Sequence, residues 1–384
     1  MLEKIIRWTF FFQHLLYSRF RQLTPQVIET LVQLTVGHLF GFYNPNQLAD
    51  ALQIPKASVY RHLKGFSCYQ WKRLLLVVGC STAVSEIKQI QAMSDSTQSR
   101  RCLTISVDDT VLSRFGKLLS YCYSWWSRKY DKSIASQNIL AITLKIGQIV
   151  IPLNVRLVGK QGRGNTEKPD LFVSMMTDVL AYFEAEGIDL TKYPITFDSW
   201  YGSRDLVKIL TEFRFSKILV HAKSNYVFEI DNLRAKLSVH KKEVTLEENQ
   251  WGCDKPVLRV VGQSPTFGNV LLLFFKDGGK IRTMMVFGRK LRACEILNIW
   301  SQHHGIEQFW RNLKSLVKLK AMSLHGRSGA YGSLGVKVMA YLLLLSVSQA
   351  TQATFHQIQL FFLGQRELFL EIIEHFHHAT ANDP

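Results

Sequence analysis

The feature that most constrains the fold is the order of apolar runs between residues 103 and 222. Three runs come first, Leu103–Val111, Asn138–Ile146 and Gln148–Leu157, and only Gly147 separates the last two. They predict a strand followed by a tight hairpin. Helical and strand patterns then alternate, which is typical of parallel strands joined by helices. These later elements are a helix at Pro169–Glu186, a strand at Tyr193–Phe197, a helix at Ser203–Phe213 and a strand at Lys217–Ala222. The sequence therefore predicts an α/β fold with a mixed sheet flanked by helices.

Acidic residues stand where two of the predicted strands end. Asp108 and Asp109 end the run that begins at Leu103, and Asp198 follows the run Tyr193–Phe197. The carboxyl ends of strands in open α/β sheets border the crevice in which ligands bind. We therefore expect these carboxylates to lie close together.

A third acid lies on a predicted amphipathic helix, Ile296–Leu319. One face, within roughly a 60° arc at about 100° per residue, carries Trp300, His303, Glu307 and Lys314, with Arg311 beside it. The opposite side is apolar, with Ile306, Phe309, Leu313 and Leu316. Charged residues on such a helix are also typical of a solvated face, so the pattern alone leaves both interpretations open.

Two strand-end aspartates and a helix glutamate suggest a carboxylate cluster for a hard divalent cation. Mg²⁺ prefers oxygen ligands and keeps several waters, which leaves positions for phosphate oxygens. Two ions about 4 Å apart can activate the attacking water and stabilise the leaving oxygen during displacement at phosphorus. The expected cofactor is therefore Mg²⁺, with Mn²⁺ as a substitute.

These residues together resemble the DDE transposases of bacterial insertion sequences, in the group with a Tyr-x2-Arg-x3-Glu-x6-Lys signature. The spacing is kept from Trp300 through His303 and Glu307 to Lys314, and Gly305–Phe309 is similar to the family's segment around the glutamate. Other segments that match in type are Val107–Thr110, Phe197–Ser199, and His325–Ser328 followed by the apolar stretch Val336–Leu345. The resemblance covers roughly residues 100 to 350.

The resemblance implies a ribonuclease H-like catalytic core with a β-rich insertion, whose strand runs we expect at Val244–Leu246, Val257–Val261, Val270–Phe275 and Thr283–Phe287. It also implies cleavage and strand transfer at the ends of an insertion sequence. The partners would be double-stranded DNA with terminal inverted repeats, a target DNA, and a second copy of the chain in a homodimer on paired ends.

Within this resemblance, Asp109, Asp198 and Glu307 are the expected catalytic residues and metal ligands. The family's pattern favours the aspartate directly before Thr110, so Asp109 is the first ligand here and Asp108 is the reserve. Two departures stand out, because Trp300 replaces the usual tyrosine and His303 the usual arginine. With Lys314 and Arg311, these two residues are the ones expected to contact or position DNA.

The N-terminal part suggests a second DNA-binding element. Gln47–Leu52, a short turn, and Ala57–Gly65 have the pattern helix, turn, helix, here assigned to residues 46–65. Its second helix would present Ser58, Arg61 and Lys64 to the major groove. The formal net charge of +17 agrees with a nucleic-acid partner, although charge alone gives no sequence recognition. A pair of amphipathic helices with a purely structural role remains the alternative.

The expected domains are 1–95, helical and DNA-binding; 100–222, the first part of the core; 223–288, the β-rich insertion; 289–350, the rest of the core; and 351–384, a helical tail. Met93–Ser99 is the expected linker. No segment is typical of a signal peptide, and the six cysteines form no dense framework, so we expect a cytoplasmic protein associated with DNA and not with a membrane. Two alternative functions stay open: a catalytically decayed DNA-binding protein and a metal-dependent nuclease on the same fold.

Overall fold

The computed structural model describes residues 1–92, 103–114, 116, 118–127, 130–161, 165–248 and 253–381, so the expected linker Met93–Ser99 lies outside the described residues. Within them the fold is α/β, with a mixed, largely antiparallel sheet and twelve α-helices. The helices are α1 (Leu2–Arg19), α2 (Pro25–Gly37), α3 (Pro45–Leu52), α4 (Lys56–Lys64), α5 (Cys68–Gln91), α6 (Lys168–Ala185), α7 (Arg204–Glu212), α8 (Leu237–Glu243), α9 (Ala293–Ser315), α10 (Gly326–Thr351), α11 (Phe355–Phe362) and α12 (Arg366–Ala381). The strands are β1 (Leu103–Ser113), β2 (Tyr123–Ser127), β3 (Lys132–Ile146), β4 (Ile149–Leu157), β5 (Lys160–Gln161), β6 (Asn165–Thr166), β7 (Ile195–Phe197), β8 (Lys217–His221), β9 (Val227–Ile230), β10 (Leu233–Lys236), β11 (Val257–Ser264), β12 (Gly268–Asp277) and β13 (Lys280–Gly288).

One sheet of 11 strands organises the molecule, in the order β10-β9-β11-β12-β13-β8-β7-β1-β3-β2, with β4 also paired to β3. β1 and β7 are parallel, as are β7 and β8. β3 runs antiparallel to β1, β2 and β4, and β13 runs antiparallel to β8. Three parallel strands therefore lie between two antiparallel groups, which confirms the predicted α/β fold with a mixed sheet.

The elements predicted from residue 103 to residue 222 are confirmed. β3 and β4 form the expected hairpin, and Gly147 between them has a φ of +58°, a conformation that glycine adopts without strain. The helix and strand patterns that follow form α6, β7, α7 and β8 in the expected order.

The strand predicted at Val244–Leu246 is wrong. This stretch follows α8 as an extended loop, and only Glu247 pairs, through an isolated bridge to Val257. Val244 and Leu246 instead pack their partly buried side chains against the core. Three alternating residues satisfy this packing from a loop, so their pattern does not require a strand.

The β-rich stretch after β8 extends the central sheet. β11, β12 and β13 contain the three other predicted runs, and β13 pairs with β8 along Lys217–His221. A short hairpin of β9 and β10 at the sheet edge was not predicted. The strands of residues 223–288 are therefore hydrogen-bonded into the same sheet as β1.

The predicted helix, turn and helix near residues 46–65 form α3 and α4. Asn44 caps α3 by accepting from the backbone N–H groups of Asn46 and Gln47, and Gln53 ends it with a φ of +57°. Such side-chain caps satisfy N–H groups that the first helical turn leaves without a partner.

Hydrogen bonds to distant helices fix this helix pair. The buried Lys337 Nζ of α10 donates to the Tyr43 carbonyl at 2.9 Å, and Arg366 Nη2 of α12 donates to the Ala51 carbonyl at 2.7 Å. Ser328 of α10 donates to the carbonyl of Phe66, just after α4. The N-terminal helices and the sheet also contribute to one continuous buried apolar cluster.

By length and composition, α10 would pass as a membrane span among the described residues. However, 94% of its most apolar window is buried inside the structure. Such burial is typical of the core helix of a soluble protein.

The N-terminal helices approach the sheet closely at Gly79 of α5. A Cβ atom there would lie 2.0 Å from the Pro152 carbonyl oxygen and 3.0 Å from that of Leu153, both in β4. Backbone atoms on the sheet cannot rotate away as a side chain can.

We expect Gly79→Ala to lower the free energy of unfolding by about 1–3 kcal/mol, because the overpacking exceeds alanine's gain in helix propensity. Urea denaturation measures this, with the exposed Ser85→Ala on the same helix as the control. A Gly79→Ala protein as stable as the control would contradict the close approach.

Candidate active site

Asp108 and Asp109 lie within β1 and not at its end as the sequence suggested, because β1 stays paired with β3 through Ser113 although its pairing with β7 stops at Val107. The two acids face opposite sides of the sheet, because successive side chains of a strand alternate. Thr110 accepts a hydrogen bond from Lys314 of α9, so its face is the one that α9 covers. Asp108, two residues earlier, shares this face. Burial lowers the pKa of Lys314, and the charge of Asp108 opposes that change.

Asp109 lies on the other face, where both of its carboxylate oxygens accept hydrogen bonds from protein groups. Its carboxylate accepts from Lys168 Nζ and Asn138 Nδ2, both at 2.7 Å, and from the Tyr201 hydroxyl at 3.0 Å. The Lys168 and Asp109 side chains are only 7% and 15% exposed. Lys168 also lies over the ring of Trp200, 4.3 Å from its centroid. The charge of Asp109 is therefore compensated within the protein.

The other two acids come from β7 and α9. Asp198 directly follows β7 and accepts from the backbone N–H of Ser199, which begins a short 3₁₀ turn. Glu307 lies on α9 with a side chain that is 60% exposed, and its Oε2 is 3.4 Å from His304 Nδ1. Of the predicted apolar side of α9, Ile306, Phe309 and Leu313 are buried and orient the helix that carries Glu307. Leu316 follows the helix and is half-buried.

One cavity of about 720 Å³ contains all four carboxylates. Its lining combines these acids with tryptophans, histidines and basic residues: Asp108, Asp109, Asp198, Glu307, Trp125, Trp126, Trp200, Trp300, His221, His303, His304, Lys168, Arg282 and Lys314, with Thr110, Val111, Ser127, Asn138 and Asp277. The structure thus brings together the three acidic segments that the sequence singled out.

Three other carboxylates act electrostatically on Asp108. Burial raises the pKa of this carboxyl to about 8, and the charge of Asp109 adds to the rise. Asp198 and Glu307 raise it further. A divalent cation would relieve such repulsion, because it is the largest local charge wherever it binds.

The donor set fits Mg²⁺ in its chemistry, since carboxylate oxygens are the ligands this ion prefers. Within the described residues, no three His, Cys, Asp or Glu side chains are grouped closely enough to hold a metal as they stand. Metal binding therefore requires the carboxylates to draw together, and the exposed Glu307 is free to rotate once it leaves His304.

His303 lines the cavity and is held there by two neighbours. Its ring is buried, its Nδ1 is 2.9 Å from the Thr196 hydroxyl, and Trp300 stacks on it at 4.6 Å with a 9° interplanar angle. Burial lowers the pKa of His303 to about 4, so the ring is neutral at pH 7. The sequence assigned His303 to contact with DNA, and that assignment remains a prediction. In the structure the ring bonds to Thr196 of β7 and supports Trp300.

The remaining predicted DNA contacts occupy two places. Arg311 is exposed on α9, one turn beyond Glu307. Arg61 and Lys64 are exposed on α4, Ser58 is half-buried there, and none of these three lines the acidic cavity. These three residues therefore form a surface that is separate from the carboxylates.

Several residues of the cavity were missed in the sequence. Lys168, at the start of α6, carries no local signal for its pairing with an acid 59 positions earlier. Asn138 offered a signal, because an amide beside the apolar run Ile139–Ile142 of a predicted strand needs a hydrogen-bond partner when that strand is buried. Trp126 and Trp200 are exposed at the cavity rim, unlike most tryptophans.

No protein-family model matches the sequence, and no curated protein matches it at a significant level.

We expect Lys168→Met to lower the free energy of unfolding by about 3 kcal/mol, because it leaves the buried charge of Asp109 uncompensated. Adding Asp109→Asn should recover part of this loss. Urea denaturation of the single and double variants measures the coupling.

The matched control is Lys88→Met, which removes the more exposed ion pair with Glu186 and should cost less than about 1 kcal/mol. Equal losses of unfolding free energy for Lys168→Met and Lys88→Met would show that the Lys168–Asp109 pair contributes no more to stability than an exposed ion pair.

Proposed function

We propose that this chain is a DDE transposase that cleaves DNA at the ends of an insertion sequence and joins them to target DNA by metal-dependent phosphoryl transfer. The observation that carries the proposal is the cavity in which carboxylates from β1, β7 and α9 meet. Three separate segments supply acids to one cavity, and acids gathered in this way suit a cation and a phosphate substrate better than a neutral ligand.

The sheet supports a ribonuclease H-like core. β4, β3 and β1 form an antiparallel group, and β7 and β8 continue it as parallel strands, as expected from the family resemblance. In this proposal β9–β13 are the β-rich insertion and α9 returns the chain to the core with the catalytic glutamate. The helical N-terminal region would be the DNA-binding domain.

We propose Asp108, Asp198 and Glu307 as the metal ligands. The sequence favoured Asp109 over Asp108, and that preference remains a prediction. Geometry favours Asp108 as the first ligand, because Asp108 faces α9, which carries Glu307, whereas Asp109 faces Lys168. When bound, Mg²⁺ would supply the Lewis acidity that activates water and stabilises the leaving oxygen.

The protein groups around the acids would position the strand. Lys314 lies beside Asp108 and would bind a phosphate oxygen as a point charge. Trp300, held flat against His303, presents a partly exposed ring to the cavity. Lys168 would keep Asp109 from competing for the cation. Arg311 would contact the strand further along α9.

Both ends of an element have to be processed together, so the proposal includes a homodimer on paired terminal inverted repeats. The helix pair α3 and α4 would bind the repeats, with Arg61 and Lys64 on phosphates and Ser58 nearer the bases. Cytoplasmic location and association with bacterial DNA follow from this proposal.

Cleavage of labelled duplexes that carry the flanking element's repeats, with Mg²⁺, tests the reaction. The parent protein should nick at the repeat boundary. Asp108→Asn, Asp198→Asn and Glu307→Gln should each lower the rate by about 100-fold or more, because each removes a charge that holds the cation. Asp109→Asn should lower it less.

The same experiment separates the alternatives. Cutting of random duplex at the same rate would indicate a general nuclease. Repeat-specific binding without nicking in any protein, including the parent with Mn²⁺, would indicate a decayed enzyme that only binds DNA. A larger loss of cleavage rate in Asp109→Asn than in Asp108→Asn would indicate that Asp109 is the first metal ligand.

A second prediction concerns the N-terminal helices. Arg61→Ala and Lys64→Ala should weaken binding to repeat DNA and reduce the slope of log affinity against log salt by about 1 each, since each removes one phosphate contact. Fluorescence anisotropy in EDTA measures affinity without cleavage. Lys208→Ala, on the exposed face of α7, is the control and should change neither quantity. Unchanged slopes in the α4 variants would exclude this helix from the interface.

A further inference from the structure

A second pocket opens beyond the end of β1 and is not part of the acidic cavity. Its volume is about 530 Å³. It is lined by basic, hydroxyl and leucine side chains: Ser113, Arg114, Leu118, Leu119, Lys320, Ser323 and His325, with Gly116. No carboxylate is among these described lining residues. The chemistry of the lining is therefore the reverse of that in the acidic cavity.

Arg114 forms the buried base of this pocket, with only 7% of its surface exposed. Its guanidinium donates at 2.9 Å to the carbonyls of Leu319, Lys320 and Met322, and it also donates to the Ser323 hydroxyl. These bonds shape the segment between α9 and α10. Because carbonyls and a hydroxyl carry no net charge, and no described carboxylate pairs with Arg114, its positive charge stays uncompensated.

Two more basic side chains stand at the pocket's exposed wall. Lys320 donates to the Ser113 hydroxyl, and His325 is exposed beside it. His325 is also the residue before α10, a helix of 26 residues whose first N–H groups receive no side-chain cap from it. The N-terminal end of a long helix adds positive potential to that of the side chains.

The pocket is aligned with the acidic cavity along a single strand. Asp108 and Ser113 both lie in β1, five residues apart, which corresponds to about 17 Å in an extended chain. Lys314 bonds to Thr110 between them. Two lysines thus bond to hydroxyls of β1 between the carboxylates and the second pocket, Lys314 to Thr110 and Lys320 to Ser113, from the two faces of the strand. One DNA strand carries a phosphate for about every 3.4 Å of helix axis, so this distance spans a few nucleotides.

We propose that the pocket formed by Ser113, Arg114, Lys320, Ser323 and His325 binds a backbone phosphate of the nucleic-acid strand, a few nucleotides from the phosphodiester at the acidic cavity. The ligand class is a phosphodiester, recognised by charge and hydroxyl donors and not by base sequence. The inference rests on the proposed function for the identity of the strand, and on the pocket itself for the anion.

The test compares Lys320→Gln and His325→Gln with Lys318→Gln in DNA binding without Mg²⁺. Lys318 loses the same charge two residues away, is exposed, and does not line the pocket. Lys320→Gln should weaken affinity by about 10-fold and lower the salt slope by about 1, while Lys318→Gln should change affinity by less than about twofold. Equal losses for Lys318→Gln and Lys320→Gln would show a general charge effect and overturn the site.

Duplexes with single neutral methylphosphonates locate the contact. A methylphosphonate at one position within a few nucleotides of the cleaved bond should weaken DNA binding by the parent protein. The same methylphosphonate should not weaken DNA binding by Lys320→Gln any further. If every position affects both proteins alike, the pocket does not hold a phosphodiester.

Inorganic phosphate distinguishes a free anion from the nucleic-acid backbone. Phosphate binding that disappears in Lys320→Gln, together with unchanged DNA affinity, would assign the pocket to a small anion and overturn the proposal. The reaction is judged separately through Glu307→Gln. If the parent does not cleave, or if Glu307→Gln cleaves as fast as the parent, a retained Lys320 effect would remove the transposase proposal alone. If the parent cleaves and Glu307→Gln does not, the absence of a Lys320 effect would remove this inference alone.

Discussion

The register of β1 determines how the acidic cavity is built. Val107 lies opposite Ile142 of antiparallel β3 and beside Phe197 of parallel β7, so both neighbours set the position of β1. A shift by one residue would exchange the two faces of the strand. Asp108 would then meet Lys168, and Asp109 would face α9. The buried apolar side chains of β1 prevent this shift, so the packing of the sheet decides which carboxylate is free to meet a cation.

Local patterns predicted the elements that position the acids. Gly147 marks the hairpin of β3 and β4, and the buried row of Ile306, Phe309 and Leu313 orients α9. Each of these signals depends on neighbours within a few residues. The short hairpin of β9 and β10 also had a local signal, because Asp231 and Asn232 both adopt positive φ in its turn, and these residue types tolerate that conformation.

Non-local contacts were beyond the reach of sequence patterns. The pairing of β8 with β13 joins residues more than sixty positions apart, and no periodicity records it. The same holds for the Lys168–Asp109 ion pair. His303 shows the limit most clearly, since its place on a polar helix face suggested solvent exposure. Thr196 of β7 meets the ring and Trp300 covers it, so the histidine is buried and neutral.

The hydrogen bonds from α10 and α12 to the ends of α3 and α4 have a geometric consequence. A DNA-reading unit on a flexible tether can hold its site at many distances from the catalytic centre. Here Lys337 and Arg366 fasten the helix pair to helices that share a core with the sheet. If α4 lies on one DNA segment, the acidic cavity stands at a fixed offset along the molecule. Helix packing would therefore set the number of base pairs between the DNA sequence bound by α4 and the bond that is cleaved.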